Sequence, residues 1–173
     1  IVSVADYSPY TYAGVLDRFL QLPFEFVITQ SFVFANRTVA IQKMQLQQIT
    51  LAAGCFWCVE AAFNMLKGVQ QATSGYMGGH SLNPSYRDIC SGNTGHAEVV
   101  QLEFDADVIS LDTIFELFFF LHDPTSLNRQ GNDVGTQYRS AIFYADDIQL
   151  ETAKAAMKRL EQQGTYQQPI VTT

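Results

Sequence analysis

The run Ile49-Thr50-Leu51-Ala52-Ala53 breaks at Gly54, and Cys55 to Lys67 then carries apolar residues at helical spacing until Gly68. A short buried strand that turns at a glycine into a helix commits the chain to a layered fold, because the strand must pair and the helix must cover it. Gly68 is a natural left-handed C-terminal cap. The alternation continues downstream. Val69 to Met77 reads as a second strand, Ala97 to Phe104 as a well-alternating one and Tyr138 to Tyr144 as another. Leu111 to Leu121 reads as an amphipathic helix, and Asp147 to Gln163 as a surface helix ended by Gly164. Gly78 to Gly95 is rich in Gly, Ser, Asn and Pro, which predicts a long irregular segment with one helical turn near Tyr86 to Cys90. Loops of that length are often functional. The expected class is α/β, more narrowly an α+β two-layer sandwich.

Charge and length narrow the partners. The chain has 173 residues, 47% apolar and 16% charged, enough for one packed core. With 17 acidic against 10 basic residues and a net charge of -7, it lacks the basic stripe that phosphate backbones require, so no nucleic-acid partner is expected. The apolar stretch around Ile114 to Leu121 is interrupted by Glu116 and is too short to span a bilayer. Three cysteines do not make a disulfide framework and suit the reducing cytoplasm, where a monomer is expected.

Residues 1–43 differ in kind from the rest. They hold 8 of the 22 aromatic residues with 3 acids, 3 bases, no Cys and no His, and their apolar patches keep no sustained period. They also lack the basic start and uninterrupted apolar run of a signal peptide. An N-terminal extension over 1–43 and a functional domain over 44–173 are therefore expected, the start-like Met44 preceding the first clear strand.

The chemical centre is Gly54-Cys55-Phe56-Trp57-Cys58-Val59-Glu60. At a helix start, unpaired backbone amides and the helix dipole favour a thiolate, which makes Cys55 a candidate nucleophile with a lowered pKa. The alternative is a buried cysteine acting as a small hydrophobe, with Trp57 a plain core residue. Other readings compete. The Cys55-x-x-Cys58 spacing fits a thioredoxin-like dithiol. Cys55, Cys58, Cys90 and His96 have the donor types of a zinc site in a non-catalytic binding module. Cys55 with His96 or His122 as base would suit acyl transfer. Glu60 fits as a complement to the positive helix start.

Several motifs in one order resemble a single family. These are Gly54-Cys55-Phe56-Trp57 with Glu60, Gly75-Tyr76-Met77-Gly78-Gly79, Ser91 to Val100 spelling SGNTGHAEVV, His122-Asp123-Pro124-Thr125, and Arg129 to Ser140 spelling RQGNDVGTQYRS. From about Ile49 to Val171 the chain is similar to the A-type peptide methionine sulfoxide reductases. The resemblance implies a ferredoxin-like core and reduction of the S epimer of methionine sulfoxide, free or in proteins. It implies Cys55 as nucleophile, Phe56 and Trp57 as walls of the methyl pocket, and Glu98, Tyr86, Tyr138 and Asp133 as the polar site. No metal and no organic cofactor is implied. Thioredoxin or a similar dithiol would be the reductant.

The chemistry asks for the same residue types. Oxide is a poor leaving group unless it gains a proton, so an acid must stand beside the thiolate. Glu98, in the otherwise apolar Ala97-Glu98-Val99-Val100, is the candidate if burial raises its pKa. Without the resemblance it reads as an exposed strand-face carboxylate. Tyr86 and Tyr138 can donate to the same oxygen, and Asp133 fits ordering the loop or holding a water better than acting as the acid. The chain stops at Gln168 to Thr173, in what reads as the start of a strand, without the tail in which many family members carry resolving cysteines. Cys58, at helical i+3 from Cys55, is then the candidate resolving thiol. Cys90 or a thiol in the missing tail competes for that role, although Cys90 reads better as buried and inert.

Overall fold

The structure is a computed structural model that describes residues 3–4 and 45–173. The expectation for residues 1–43 falls, apart from Ser3–Val4, outside the described residues.

Strands β1 (Ser3–Val4), β2 (Leu46–Ala53), β3 (Val69–Met77), β4 (Ala97–Asp105) and a later strand, Ser140–Phe143, form one sheet. Helices α1 (Phe56–Phe63), α2 (Tyr86–Cys90) and α3 (Leu111–Leu121) fall between them, and α4 (Asp147–Gln162) follows. Two short strands, β5 (Arg129–Gln130) and β6 (Asp133–Val134), pair separately as a hairpin, so Ser140–Phe143 is β7. The sheet order is β1-β3-β4-β2-β7, and every pairing is antiparallel. In the succession β2-α1-β3-β4-α3-β7, β4 lies between β2 and β3 while β2 lies between β4 and β7. That is the split βαβ arrangement of a ferredoxin-like core, as expected.

Register decides which residues are interior. Ile49 pairs with Leu102, Leu51 with Val100, Ala72 with Leu102 and Tyr76 with Glu98. Side chains alternate faces along a strand, so Glu98, Val100, Leu102 and Phe104 share one face of β4. Val100, Leu102 and Phe104 join the main core with Phe56, Phe63, Phe115 and Phe118 from α1 and α3. Ala97 and Val99, on the opposite face, pack with Ala52 and Ala141 in a smaller cluster. Each fully buried Phe or Leu is worth roughly 1.5–3 kcal/mol, which makes this face the main source of stability.

Local signals account for the helix ends. Ser85 and Asp88 form a reciprocal capping box on α2, Ser110 caps α3 by accepting from Thr113 N–H at 3.1 Å, and Asp146 caps α4 by accepting from Gln149 N–H at 2.9 Å. The bounds expected for β3, α2 and α3 are those observed. Helix α1 ends at Phe63 rather than running to Lys67: its turn tightens through Met65 N–H to Ala62 O and Leu66 N–H to Phe63 O, and Gly68 takes φ +101 to start β3. Tyr138 lies in a 3-10 turn, Thr136–Tyr138, just before β7. Residues 168–173 form no strand of their own, but Thr173 lies along the outer edge of β7, receiving from Ile142 N–H at 2.8 Å and donating to Ser140 O at 3.2 Å. Among the described residues no helix is long and apolar enough to cross a membrane.

Candidate active site

Cys55 occupies the N-cap of α1, half-buried, between Gly54 and the first helical turn. Gly54 has φ +84, a conformation that costs a residue with a Cβ, and a Cβ there would stand 2.6 Å from the Gln130 side chain. Gln130 in turn donates to Asp123 O at 2.6 Å and accepts from Asp123 N–H at 3.0 Å. The absent side chain at Gly54 therefore lets the β5–β6 hairpin, which carries Asp133, close against the cysteine turn.

Glu98 is 4% exposed, at the start of β4 and in line with Val100, Leu102 and Phe104. Its Oε2 accepts from Phe56 N–H at 3.2 Å. Burial pushes its carboxyl up to about 7, against the opposing pull of the Phe56 amide, and the Asp133 charge adds to the rise. A half-protonated acid at neutral pH thus stands beside the helix start. Burial also decides the state of the cysteine. The Trp57 and Cys58 amides favour its thiolate, but desolvation, with the neighbouring Cys58 and Glu98, raises the thiol to about 11. The expected lowering by the helix start is corrected: two amides do not offset burial beside other acids, and Cys55 rests as a thiol.

Aromatic rings line the approach. Phe56 is buried and Trp57 is 41% exposed, with ring centroids 5.5 Å apart. Trp57 stacks on Tyr86 at 6.4 Å, and Phe56 meets Tyr76 at 5.5 Å. Tyr138 is half-buried, and burial followed by the Glu98 charge raises it to about 12. Tyr86 is raised first by a hydrogen bond with Cys90, and it also feels Glu98 and Cys55. Phenols held this firmly protonated are hydrogen-bond donors at any physiological pH. All residues expected in the site touch another member or share a field with Glu98 within this cluster; Asp133, exposed on β6, does so only through its charge, which acts on Glu98 and Tyr138.

His96 and His122 are committed elsewhere. His96 Nδ1 accepts from Gly79 N–H at 3.2 Å, so its Nε2–H donates to Ser81 O at 2.8 Å, and both nitrogens serve the loop. His122 donates Nδ1–H to Phe118 O at 2.7 Å and accepts at Nε2 from Ser140 Oγ at 2.7 Å, with burial lowering its pKa. Neither can act as the base of an acyl-transfer pair with Cys55, and His96 cannot complete a thiolate zinc site. Glu60, at the fifth position of α1, accepts from Ser74 N–H at 2.9 Å and from the Ser74 hydroxyl. It ties α1 to β3 instead of complementing the helix start. Cys90, read from the sequence as buried, is exposed at the end of α2.

Residues 47–173 match the peptide methionine sulfoxide reductase family. The peptide methionine sulfoxide reductase MsrA of Natronomonas pharaonis is 58% identical over 123 residues, 71% of this chain and 69% of its own length. The chain belongs to the peptide methionine sulfoxide reductases. Solved reductases share the fold: Mxr1 from Saccharomyces cerevisiae in reduced form superposes with TM-score 0.67 at 33% identity, covering 73% of this chain and 74% of that one. Methionine sulfoxide reductase A of Corynebacterium diphtheriae gives 0.64 at 34% identity, over 74% of this chain and 63% of that one, so this chain spans less than two thirds of that structure. Residues 1–54 separately match the CagE, TrbE, VirB family, described as a component of a type IV transporter system, and this match overlaps the reductase match by the β2 segment. The family and the ferredoxin-like sheet together leave the thioredoxin-like reading without support.

One residue of this candidate site, Tyr76, was not singled out from sequence, and the place of a second, Cys90, was misread as buried. Tyr76 was visible only inside the Gly75 to Gly79 motif, and its burial opposite Glu98 follows from strand register. Cys90 contacts the site through Tyr86, four positions earlier on one helical turn. That spacing was the available signal.

Proposed function

We propose that this chain reduces the S epimer of methionine sulfoxide to methionine, free or within proteins, and so repairs oxidised side chains. The observation that carries the proposal is the pairing of Cys55 at the start of α1 with Glu98, a carboxyl whose raised pKa lets it take the thiol proton and hand it on near neutral pH. Cys55 is the nucleophile, Glu98 the acid that carries the thiol proton to the oxygen, Tyr86 and Tyr138 donors to the sulfoxide oxygen, Phe56 and Trp57 the walls for the methyl group, and Asp133 a charge that strengthens the hold of Glu98 on that proton.

The Glu98 carboxylate takes the thiol proton and passes it to the sulfoxide oxygen as the Cys55 sulfur bonds to the substrate sulfur. The hydroxyl then moves from that sulfur to Cys55 as the new S–S bond breaks, leaving methionine and a Cys55 sulfenic acid. The substrate sulfur gains two electrons and the Cys55 sulfur loses two. Condensation with a second thiol expels water and forms a disulfide, which thioredoxin or a similar dithiol reduces. Cys58 is the proposed resolving thiol: it is exposed, one helical turn from Cys55, and close enough to add to the rise of the Cys55 thiol. The proposed reductase domain is 44–173, with 1–43 an extension, working in the cytoplasm.

Incubation with the two resolved epimers and dithiothreitol tests the proposal. Methionine released from the S epimer alone supports it, and release from neither or from both alike contradicts it. Cys58→Ser should still release one methionine per chain but stall with thioredoxin, whereas normal thioredoxin-driven turnover would remove Cys58 from the cycle.

A further inference from the structure

Tyr76 is 2% exposed, yet its hydroxyl has no hydrogen-bond partner among the described residues. Buried polar groups are nearly always satisfied, and one that is not carries the full desolvation cost of that group. Its place is specific. Tyr76 sits directly opposite Glu98 in the β3–β4 register, and its ring packs on Phe56, the residue whose backbone amide holds Glu98 Oε2. Opposed residues of an antiparallel pair project side by side on the same face. Among the described residues, that amide is the one hydrogen bond given to the Glu98 carboxyl. A carboxylate left there after proton transfer is buried and under-supplied with donors.

We infer that Tyr76 is a positioning residue for Glu98, its hydroxyl donating to the carboxylate once the carboxyl proton has gone to the sulfoxide oxygen. The inference rests on the proposed reading of Glu98 as the acid. The step balances: Glu98 releases its proton to oxygen, and the Tyr76 proton stays on its own oxygen throughout. Tyr76 does not touch substrate, because its hydroxyl is enclosed. The other titratable groups that face Glu98 are Cys55 at the α1 start, Tyr138 in the 3-10 turn, Asp133 on β6 and Tyr86 on α2.

Tyr76→Phe in the full chain removes the hydroxyl and keeps the ring. The reacting pair, thiolate with carboxylic acid, holds as many protons as thiol with carboxylate, so kcat/KM for the first methionine released rises through the Glu98 pKa. Loss of a donor to the carboxylate moves that rise upward by roughly one pH unit, the worth of a hydrogen bond to a charged group. At pH 6 the variant should be roughly tenfold slower, at pH 9 little changed, and its melting temperature at pH 6 no lower. An unmoved rise overturns the inference, as does an equal loss at both pH values with a lower melting temperature, the mark of a merely structural role. Glu98→Gln measured alongside separates the two levels. If that variant loses the rise while Tyr76→Phe leaves it in place, only the inference fails; if Glu98→Gln keeps the rise, the acid assignment fails and takes the inference with it.

Discussion

The two ends of β4 present the same face to the same side of the sheet and carry opposite chemistry. Toward Asp105, Leu102 and Phe104 meet α1 and α3 in a core built of Phe, Ile, Leu and Val. Toward Ala97, the equally buried positions are Glu98 and its neighbour Tyr76, joined by His96, Thr94 and Ser140 among the buried polar residues. The first end lowers the free energy of the fold. The second accepts a raised carboxyl, a phenol without a partner among the described residues and a left-handed Gly54, costs that only the first end can offset. Stability and chemistry are thus separable along a single strand.

The separation can be broken from either side. Glu98→Gln should slow the first methionine release by roughly 10²- to 10⁴-fold, the usual worth of a positioned acid. The same change should not weaken the fold. A carboxyl raised from 4.5 to about 7 on folding contributes stability that is whole below about 4.5 and is lost as pH rises through about 7. At pH 8 the glutamine variant should therefore resist denaturant at least as well as the parent. A less stable variant at pH 8 would mean that Glu98 supports the fold as a carboxylate.

Phe118→Ala makes the opposite cut. Phe118 is fully buried in the main core, and its truncation should cost about 3–5 kcal/mol in equilibrium unfolding. The fraction that remains folded should still release methionine at the parent rate. A rate that fell by more than the folded fraction would join the two regions.

Gly54→Ala sharpens the boundary, because Gly54 ends β2 and positions Cys55. The left-handed backbone and the contact with Gln130 predict a loss of about 1–2 kcal/mol. The rate should fall by more than that loss accounts for, since the β5–β6 hairpin must retreat from Cys55. Equal unfolding midpoints for parent and variant would refute the packing argument.

Much of the stable end was legible in the sequence, because apolar alternation and caps are local signals. Val69–Met77 and Leu111–Leu121 follow from them directly. The strand–Gly54–helix junction was equally legible, and it placed Cys55 at a helix start. Its protonation was not, since the balance between two amides and burial depends on what surrounds the sulfur. Tyr76 was missed for the same reason: nothing within β3 shows that position 76 faces Glu98, which only cross-strand register decides. The β5–β6 hairpin escaped because two-residue strands carry no period. His96 looked like chemistry, but a histidine with both nitrogens bonded to backbone is a clamp, and no spacing reveals that; Cys90 read as buried and inert, yet it is exposed and bonds Tyr86.

The central claim is that Cys55 takes the oxygen from the sulfoxide. The most direct test is a reductant-free single turnover with the S epimer in excess, counting methionine released per chain and locating the oxidised cysteine by peptide mapping. The account predicts one methionine from the parent, with oxidation at Cys55 as sulfenic acid or in a disulfide with Cys58, and none from Cys55→Ser, whose hydroxyl is barely ionised at neutral pH. Release of methionine by Cys55→Ser would contradict it.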